Sequence, residues 1–381
     1  MKIKQVMDYK DLFTHCSLIG ATGSGKTSYI LAIIKNIILE NSNNNLVFID
    51  GKNDLNLIKK LKDYAKQYNY DFYFFDNDNH LNNNFDYCYF ENKTYMQIKE
   101  IILRLRTKEL SNSSMGATYY FNQVNNYLFF ITNLLMKNNI KITWKNLKEY
   151  SNYSQLKLLE GFSEEEYKLF NYQIILDALN FINQYEEIEN NNFGVSLNSI
   201  LSSSNNIILF SLNFLSLPNY SNDLAHAVCL DLRQSIKNKE GDLFIILDEF
   251  GSYINSDLKT ILEQGRSYHT SLILAYQSLA QINFKNFKNI IFDNTNNWFI
   301  FNNKHENSLK ELSLLFGYKQ ILNYSYSLDL NHDNKYINNN IHLRNDETYY
   351  VSPDEIKNLK PLECFIKTIK EPRFLSLSIE D

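Results

Sequence analysis

The stretch Gly20-Ala21-Thr22-Gly23-Ser24-Gly25-Lys26-Thr27 decides the fold of this 381-residue chain. It follows a short apolar run, Cys16–Ile19, and opens a segment with helical apolar spacing, Thr27–Leu39. The pattern G-x-x-x-x-G-K-[ST] between a strand and a helix is typical of a phosphate-binding loop, and this setting disfavours a chance match in a turn. Backbone N–H groups of the glycines and the helix N-terminus both attract phosphate. We therefore expect ATP at Gly20–Thr27, with Lys26 on the β- and γ-phosphates and the Thr27 hydroxyl on Mg²⁺.

A second pair of candidate residues ends another predicted strand. The run Leu243–Leu247 is continuously apolar, which is typical of a strand buried on both faces of a parallel sheet, and Asp248 and Glu249 follow it. Ligands of such sheets bind at the carboxyl ends of the strands. We expect Asp248 to hold Mg²⁺ and Glu249 to orient or deprotonate the attacking water. The alternative is an Asp-Glu pair that begins a solvated loop or caps the next helix.

Two more polar residues flank the next predicted strand, Ser271–Ala275. Gln277 stands just after it, where its amide could hydrogen-bond the γ-phosphate or the attacking water. Arg266 stands before it, next to a predicted helix end. It could reach the nucleotide of a neighbouring subunit, or it could be an arginine that the helix dipole favours at that end. On the sequence alone both interpretations of Arg266 stay open.

Composition limits the classes of function. The formal net charge is −5 and the pI is about 5.9, so any contact with nucleic acid has to be local. The four cysteines are far apart without a C-x-x-C pair, which predicts neither a zinc nor a redox site. We expect no export signal or membrane anchor and a cytoplasmic location. Candidate cations for a DNA contact are Arg104, Arg106 and Lys108, and a second group of Lys285 and Lys288.

The order of the predicted elements indicates an α/β fold with an all-α insertion. Strand and helix patterns alternate in residues 1–94 and again in residues 196–381, which predicts one nucleotide-binding domain with a mainly parallel sheet. In residues 95–195 the strand signal nearly disappears, which predicts an inserted all-α domain. Short asparagine runs such as Asn338–Asn340 are predicted as loops, and Tyr349–Ile379 as a small terminal hairpin or sheet edge. The predicted helices of the insertion are Tyr95–Leu110, Thr118–Lys137, Trp144–Tyr150 and Glu164–Tyr185.

The chain resembles the motor domain of the type IV coupling proteins, the TraG/TraD family of conjugative DNA-transfer ATPases within the FtsK/HerA group. The block from Gly265-Arg266 to Gln277 is the most diagnostic, with its arginine eleven residues before the glutamine. In a second block, Gly51 and Asn53 replace the proline and glycine of the family's D-P-K-G-D. The four similar blocks are Gly20–Thr27, Val47–Asp54, Ile245–Gly251 and Gly265–Gln281.

The resemblance implies a RecA-like P-loop NTPase core and an ATP-dependent DNA translocase of mobile-element or plasmid transfer. It further implies ATP and Mg²⁺ as cofactors, DNA of unspecified strand state as cargo, a homo-hexamer, and relaxase and membrane-channel proteins as partners. Coupling proteins usually begin with a membrane-spanning segment, so attachment to a channel is expected to come from another protein. The all-α region would face the DNA entrance of the ring.

Three other functions are compatible with a P-loop. A receptor that hands protein substrates to a type IV secretion system keeps the ATPase and changes the cargo, and a phage or viral DNA-packaging ATPase uses the same fold. A nucleotide switch or small-molecule kinase is disfavoured, because Glu249, Gln277 and Arg266 stand at translocase-like positions.

Overall fold

The computed structural model describes residues 8–41, 43–78, 83–106, 115–186, 194–282, 286–330, 336–368 and 373–376. The chain divides into two compact units, one of residues 1–34 and 275–381 and the other of residues 35–274.

The strands are, in chain order, β1 Cys16–Ile19, β2 Asn44–Asp50, β3 Asp71–Asp76, β4 Asn206–Ser211, β5 Asp242–Leu247, β6 Thr270–Tyr276, β7 Asn297–Ile300, β8 Tyr318–Leu330, β9 Tyr336–Tyr349, β10 Glu363–Lys367 and β11 Arg373–Ser376. The helices are α1 Lys26–Glu40, α2 Leu55–Tyr68, α3 Tyr95–Arg106, α4 Met115–Lys137, α5 Trp144–Tyr150, α6 Tyr153–Leu156, α7 Glu164–Tyr167, α8 Tyr172–Glu186, α9 Leu197–Ile200, α10 Pro218–Ser235, α11 Ser256–Gln264, α12 Phe287–Asn294, α13 Glu306–Phe316 and α14 Pro353–Lys357. The unit boundaries fall inside α1 and inside β6.

In the unit of residues 35–274 five strands pair in the order β6–β5–β2–β4–β3, and every neighbouring pair is parallel. All residues of β2 and β4 are buried, as expected for strands covered on both faces. The outer strand β3 alternates between buried and more accessible positions because it lies at the edge. The apolar runs in the sequence thus correspond to the inner strands, and the predicted parallel α/β core is confirmed.

In the unit of residues 1–34 and 275–381 four strands pair in the order β11–β10–β7–β1. The pair β1 and β7 is parallel, whereas β10 is antiparallel to both β7 and β11. The sheet edge predicted for Tyr349–Ile379 is therefore confirmed, with the short helix α14 before it.

The segment between β3 and β4 is helical, as predicted, apart from one isolated parallel bridge between Tyr87 and Val195. The single predicted helix Glu164–Tyr185 is wrong, because α7 ends at Tyr167 and α8 begins at Tyr172. Asn171 accounts for the break, since its side chain accepts a hydrogen bond from the Ile174 N–H and so starts a new helix. The domain division at residues 95 and 195 stays a prediction.

An antiparallel hairpin of β8 and β9 is the main element that the sequence analysis missed. Its second strand contains Asn338–Asn340, which were predicted as a loop. Asparagine is depleted in strands, so its local propensity predicts a loop here. Cross-strand pairing outweighs that propensity and makes the segment a strand. None of the helices in the described ranges is both long and apolar enough to span a membrane.

A buried ion pair ties the start of the helical segment to α10. The Lys93 ammonium contacts the Asp231 carboxylate, and both side chains are almost fully buried. The same carboxylate accepts hydrogen bonds from the Tyr87 hydroxyl at 2.8 Å, the Leu197 N–H at 3.3 Å and the Ser235 hydroxyl at 3.2 Å. Such a pair matters for stability mainly because either partner alone would be a buried, uncompensated charge.

We predict that Lys93→Met lowers the free energy of unfolding by about 3–5 kcal/mol, because it leaves the Asp231 carboxylate buried without its cation. Urea denaturation followed by circular dichroism measures this. Lys168→Met is the matched control, since Lys168 forms an exposed i,i+4 pair with Glu164 and should cost at most about 0.5 kcal/mol. Equal effects of the two substitutions would contradict the buried-pair interpretation.

Candidate active site

The loop Gly20–Thr27 has the backbone conformation that phosphate binding requires. Gly23 and Gly25 have φ of 78° and 105°, in the left-handed region that favours glycine. Lys26 opens α1, and its buried ammonium donates to the carbonyl oxygens of Gly20 at 2.6 Å and Ala21 at 3.1 Å. The loop thus holds a cation at the N-terminus of a fifteen-residue helix. Thr27, the next residue, is half-buried in the first turn.

The loop is seated on the carboxyl ends of neighbouring strands in its own unit. The Gly20 N–H donates to the Tyr276 carbonyl at 3.2 Å, and the Ala21 N–H donates to the Asn302 carbonyl at 2.7 Å. A Cβ at Gly20 would lie 2.5 Å from the Phe301 Cβ, so only glycine allows this approach. The third contact comes from the chain's C-terminal part, where the Leu362 N–H donates to the Ser24 carbonyl at 2.9 Å.

The side chains of this loop fit a phosphate ligand. The Ser24 hydroxyl is buried and has no hydrogen-bond partner within the part of the chain that the structure describes. A buried polar group of this kind needs a partner from outside the protein chain. Together with the Lys26 ammonium and the helix N-terminus, it makes a site for an anion with several oxygens.

Gln277 lies at the same sheet edge as the loop. Its N–H donates to the Gln281 side chain at 3.0 Å, and its carbonyl accepts from the Asn303 side chain at 2.9 Å. Both contacts fix the backbone at the end of β6, directly after the Tyr276 carbonyl that binds Gly20. The structure thus brings Gln277 to the loop, and its role toward a γ-phosphate stays a prediction.

Asp248 and Glu249 lie at the carboxyl end of β5, as predicted, and Lys52 contacts both. The Lys52 ammonium is 3.4 Å from an Asp248 oxygen and 2.5 Å from a Glu249 oxygen. Glu249 has φ of 51°, a left-handed conformation that is costly for a residue with a side chain. The turn is held by the Tyr253 hydroxyl, which donates to the Asp248 carbonyl at 2.6 Å.

The loop after β2 presents Lys52 to these carboxylates. The Asp50 side chain accepts hydrogen bonds from the N–H groups of Lys52 at 3.0 Å and Asp54 at 2.8 Å, which fixes the turn. Asn53, which replaces a glycine of the family motif, has φ of 56°. Asparagine tolerates this conformation better than other residues, so the turn survives the replacement. A Cβ at Gly51 would lie 3.2 Å from the Glu249 Cβ, which explains a small residue there.

Asp50, Asp248 and Glu249 form a cluster of carboxyl groups, and burial and mutual repulsion make their ionised forms unfavourable unless a cation is present. Burial raises the pKa of Asp50 to about 6, and the Asp248 charge adds to the increase. Burial also raises the pKa of Asp248, against the effect of Lys52. For Lys52, burial lowers the pKa, but Asp248 and Glu249 together outweigh it and the net pKa is raised. The carboxylates therefore attract a cation, which fits the predicted Mg²⁺ ligand Asp248.

Arg266 is exposed and lies away from Asp248 and Glu249. It precedes β6, and the neighbouring His269 carbonyl accepts from the Leu243 N–H at the start of β5. Because β5 and β6 are parallel, Arg266 lies at the amino-terminal edge and the two carboxylates lie at the opposite edge, about 20 Å apart along a strand of this length. Within its own unit Arg266 therefore does not join the carboxylates.

The candidate DNA contacts at Arg104 and Arg106 are wrong. Arg104 binds Asp257 at 3.0 Å, and Arg106 is buried, with its guanidinium 4.5 Å from the centre of the Phe121 ring. Both are structural cations of the helical segment. Lys288 forms an ion pair with Glu311 at 2.9 Å. Lys108 and Lys285 lie outside the described residues.

Sequence reasoning missed two residues of the site, Lys52 and Leu362. Lys52 belonged to a recognised block, but its contact with Asp248 depends on β2 and β5 being neighbours, which no local pattern reveals. Leu362 lies 335 positions after Thr27 in the chain, and its side chain would be 2.7 Å from a Cβ added to Gly25.

We predict different costs for alanine at two glycines of the loop. Both have left-handed φ, so each substitution should cost about 1–2 kcal/mol of strain. A Cβ at Gly23 meets nothing within 4 Å, whereas at Gly25 it meets Leu362 at 2.7 Å. Gly25→Ala should therefore be about 1–3 kcal/mol more destabilising than Gly23→Ala in urea denaturation. If the two variants unfold at the same urea concentration, Leu362 does not pack against the loop.

The chain is similar to known proteins in sequence and in fold. Residues 242–361 match the family model described as the TraM recognition site of TraD and TraG. Over 79 residues the chain is 39% identical to an uncharacterized protein of Mycoplasma pneumoniae (strain ATCC 29342 / M129 / Subtype 1). The aligned region covers 19% of this chain and 53% of that protein. The chain thus spans about half of the length of this curated relative.

Three solved structures share the fold. The bacterial conjugative coupling protein TrwB in an unbound form has a TM-score of 0.72 at 15% identity, over 98% of this chain and 87% of that one. TrwB with ADP and Mg²⁺ has a TM-score of 0.70 at 14% identity, over 98% of this chain and 88% of the TrwB chain. VirB4 of Thermoanaerobacter pseudethanolicus has a TM-score of 0.60 at 11% identity, over 96% and 90%. The chain therefore has the RecA-like P-loop fold of the type IV coupling protein motor domain, as its motifs indicate, and its residues 242–361 match the TraD and TraG family segment.

Proposed function

We propose that the chain is an ATP-dependent DNA-transfer ATPase of a conjugative system, which binds ATP and Mg²⁺ and works as a homo-oligomeric ring. The observation that carries this proposal is the loop Gly20–Thr27, in which two left-handed glycines, a buried ammonium and a buried hydroxyl without a partner meet at a helix N-terminus. The coupling-protein fold and the family segment at residues 242–361 support conjugation as its setting.

The proposed roles follow from the chemistry of each side chain. Lys26 binds the β- and γ-phosphate oxygens and neutralises the charge that develops on them. The Thr27 hydroxyl and the Asp248 carboxylate are the proposed Mg²⁺ ligands, and a bound Mg²⁺ would supply further positive charge to the phosphate oxygens. Glu249 orients the attacking water and accepts its proton, and the Gln277 amide hydrogen-bonds the same water or the γ-phosphate.

The ion pair of Lys52 with Glu249 limits how Glu249 can accept a proton from water. The Lys52 ammonium is 2.5 Å from a Glu249 oxygen, so the ion pair occupies an oxygen that would have to contact the attacking water. Proton transfer from water to Glu249 therefore requires the Lys52 contact to lengthen first. Lys52 is partly exposed on a four-carbon stem, so it can move without any change in the strands.

DNA as cargo rests on the coupling-protein fold, because the described basic candidates of the helical segment are structural. We propose relaxase-type and channel proteins as partners, with attachment to the membrane channel through a partner. A second candidate cargo is protein. The family segment is described as a TraM recognition site in TraD and TraG, so a protein of similar role is a proposed partner of residues 242–361.

The proposed function predicts that DNA stimulates ATP turnover. Phosphate release is measured with no DNA, single-stranded DNA and double-stranded DNA, and Glu249→Gln should lower the DNA-stimulated rate by about 10²–10⁴-fold while ATP still binds. Glu263→Gln, in the exposed pair with Lys259, is the matched control and should change nothing. Turnover that ignores both forms of DNA would leave the protein-receptor function as the better account.

Arg266 is predicted to act on the nucleotide of a neighbouring copy, since it lies at the sheet edge opposite its own Asp248 and Glu249. Arg266→Ala should lower turnover by about 10³–10⁵-fold with ATP binding retained. Mixing Arg266→Ala subunits with Lys26→Ala subunits should restore part of the activity, because some interfaces then combine an intact loop with an intact arginine. Mixed rings that have exchanged subunits and stay inactive would assign Arg266 a role within its own chain.

A further inference from the structure

Leu362 has a backbone conformation that is unusual for its residue type. Its φ is 68°, in the left-handed region, which is unfavourable for a residue with a side chain. Among the non-glycine residues with positive φ in the described ranges, most are asparagines, and Leu362 is the one with a purely apolar side chain. Such a conformation persists only where the surroundings determine it. The contacts of Leu362 must therefore outweigh its local preference.

The main chain of Leu362 binds the phosphate loop and helix α1 at the same time. Its N–H donates to the Ser24 carbonyl at 2.9 Å, and its carbonyl accepts from the Tyr29 hydroxyl at 3.0 Å. The Tyr29 side chain is fully buried, and its ring packs edge-on against Phe301 with 4.9 Å between the ring centroids. The Leu362 carbonyl is therefore attached to a side chain that the core holds in place.

The side chain of Leu362 covers Gly25. Its Cδ2 would lie 2.7 Å from a Cβ added to Gly25, and its Cα and N would lie 3.2 Å from that Cβ. A glycine at position 362 would adopt the left-handed φ easily but would leave Gly25 uncovered. The contact with Gly25 thus accounts for an apolar side chain at an unfavourable φ.

The residues just before Leu362 are attached to the other end of the phosphate loop through Asn302. The Asn302 carbonyl accepts from the Ala21 N–H at 2.7 Å. Its side-chain amide donates to the carbonyls of Lys357 at 2.5 Å and Leu359 at 3.1 Å. We call residues 357–362 the C-terminal brace, since they are connected to the loop at both of its ends.

The contact with Ser24 sets the direction of a hydrogen-bond donor of the loop. The Ser24 carbonyl and the Gly25 N–H belong to one trans peptide and point in opposite directions. The Gly25 carbonyl accepts from the Tyr29 N–H at 3.2 Å and so begins the hydrogen bonding of α1, whereas the Gly25 N–H has no acceptor in the described part of the chain. Free N–H groups at a helix N-terminus bind anions. By holding the Ser24 carbonyl, Leu362 keeps the Gly25 N–H turned away from the brace and available to a phosphate.

We infer that Leu362 is a positioning residue for nucleotide binding, which orients the Gly25 N–H toward a phosphate and is itself held by the Tyr29 hydroxyl. The inference rests on the proposed binding of ATP at Gly20–Thr27. It adds that the affinity for the phosphates depends on the C-terminal brace as well as on the loop. If Leu362 only stabilised the fold, the affinity of the folded protein would not change with it.

Tyr29→Phe tests this role, because it removes only the hydroxyl that holds the Leu362 carbonyl. Displacement of a fluorescent ADP analogue measures the Kd of ADP and of pyrophosphate, both with Mg²⁺. Both Kd values should rise about 3–10-fold, as expected for the loss of one hydrogen bond. Thr14→Val is the matched control, since it removes a largely buried hydroxyl that donates to the Asp11 carbonyl at 2.7 Å, before β1 and away from the loop. It should lower the melting temperature and leave both Kd values unchanged.

Two substitutions at Leu362 give a second, independent reading. Leu362→Ala uncovers Gly25 and should weaken the binding of ADP and of pyrophosphate by the same factor. Leu362→Met keeps an apolar cover of similar volume and should bind both ligands as the wild-type protein does.

The two ligands separate the possible outcomes. Equal losses for ADP and pyrophosphate support the inference, because pyrophosphate has no base or ribose. A loss confined to ADP would place the contact at the nucleoside and overturn it, as would variants with lowered melting temperatures and unchanged Kd values. A wild-type protein that binds neither ligand would contradict the proposed ATP site itself.

Discussion

Parallel pairing of buried strands is the constraint on which the rest of this structure depends. Strands that are covered on both faces carry only apolar side chains, so polar groups appear where each strand ends. In the unit of residues 35–274, β2 and β5 are parallel neighbours, and their carboxyl ends bring Asp50 and Asp248 to one edge. Because β6 is parallel to β5, Arg266, which precedes β6, lies at the opposite edge of the sheet. Arg266 and the two carboxylates therefore lie at opposite ends of these parallel strands.

A cluster of buried carboxylates at one edge requires a compensating cation. Lys52 provides it in the structure described, with contacts to both Asp248 and Glu249. In the proposed ATPase, Lys52 therefore competes with other cations for the same carboxylates. Glu249 keeps a left-handed backbone there, held by the hydrogen bond of Tyr253 to Asp248. A strained residue held by its surroundings is common at functional sites, where its geometry is fixed in advance.

The helical segment shows how the same residue types serve a different purpose. Arg104 and Arg106 carry the positive charge that DNA attracts. Arg104, however, forms an ion pair with Asp257, and the Arg106 guanidinium packs against the ring of Phe121. Lys93 and Asp231 similarly use charge to fix the start of this segment against α10.

The sequence by itself determined whatever is encoded over a few neighbouring residues. Strand order and long-range contacts were left to the tertiary structure. The loop Gly20–Thr27, the strand before Asp248 and the inner strands of the parallel sheet were predictable, because glycine spacing and continuous apolar runs are local signals. Three features could not be predicted: the contact of Lys52 with Glu249, the packing of Leu362 on Gly25 and the burial of Arg106. Each depends on residues that are far apart in the sequence, and no local pattern shows that they are close in space. The hairpin of β8 and β9 was missed for the same reason, because its asparagine-rich strand is stabilised by cross-strand pairing and not by its own propensity.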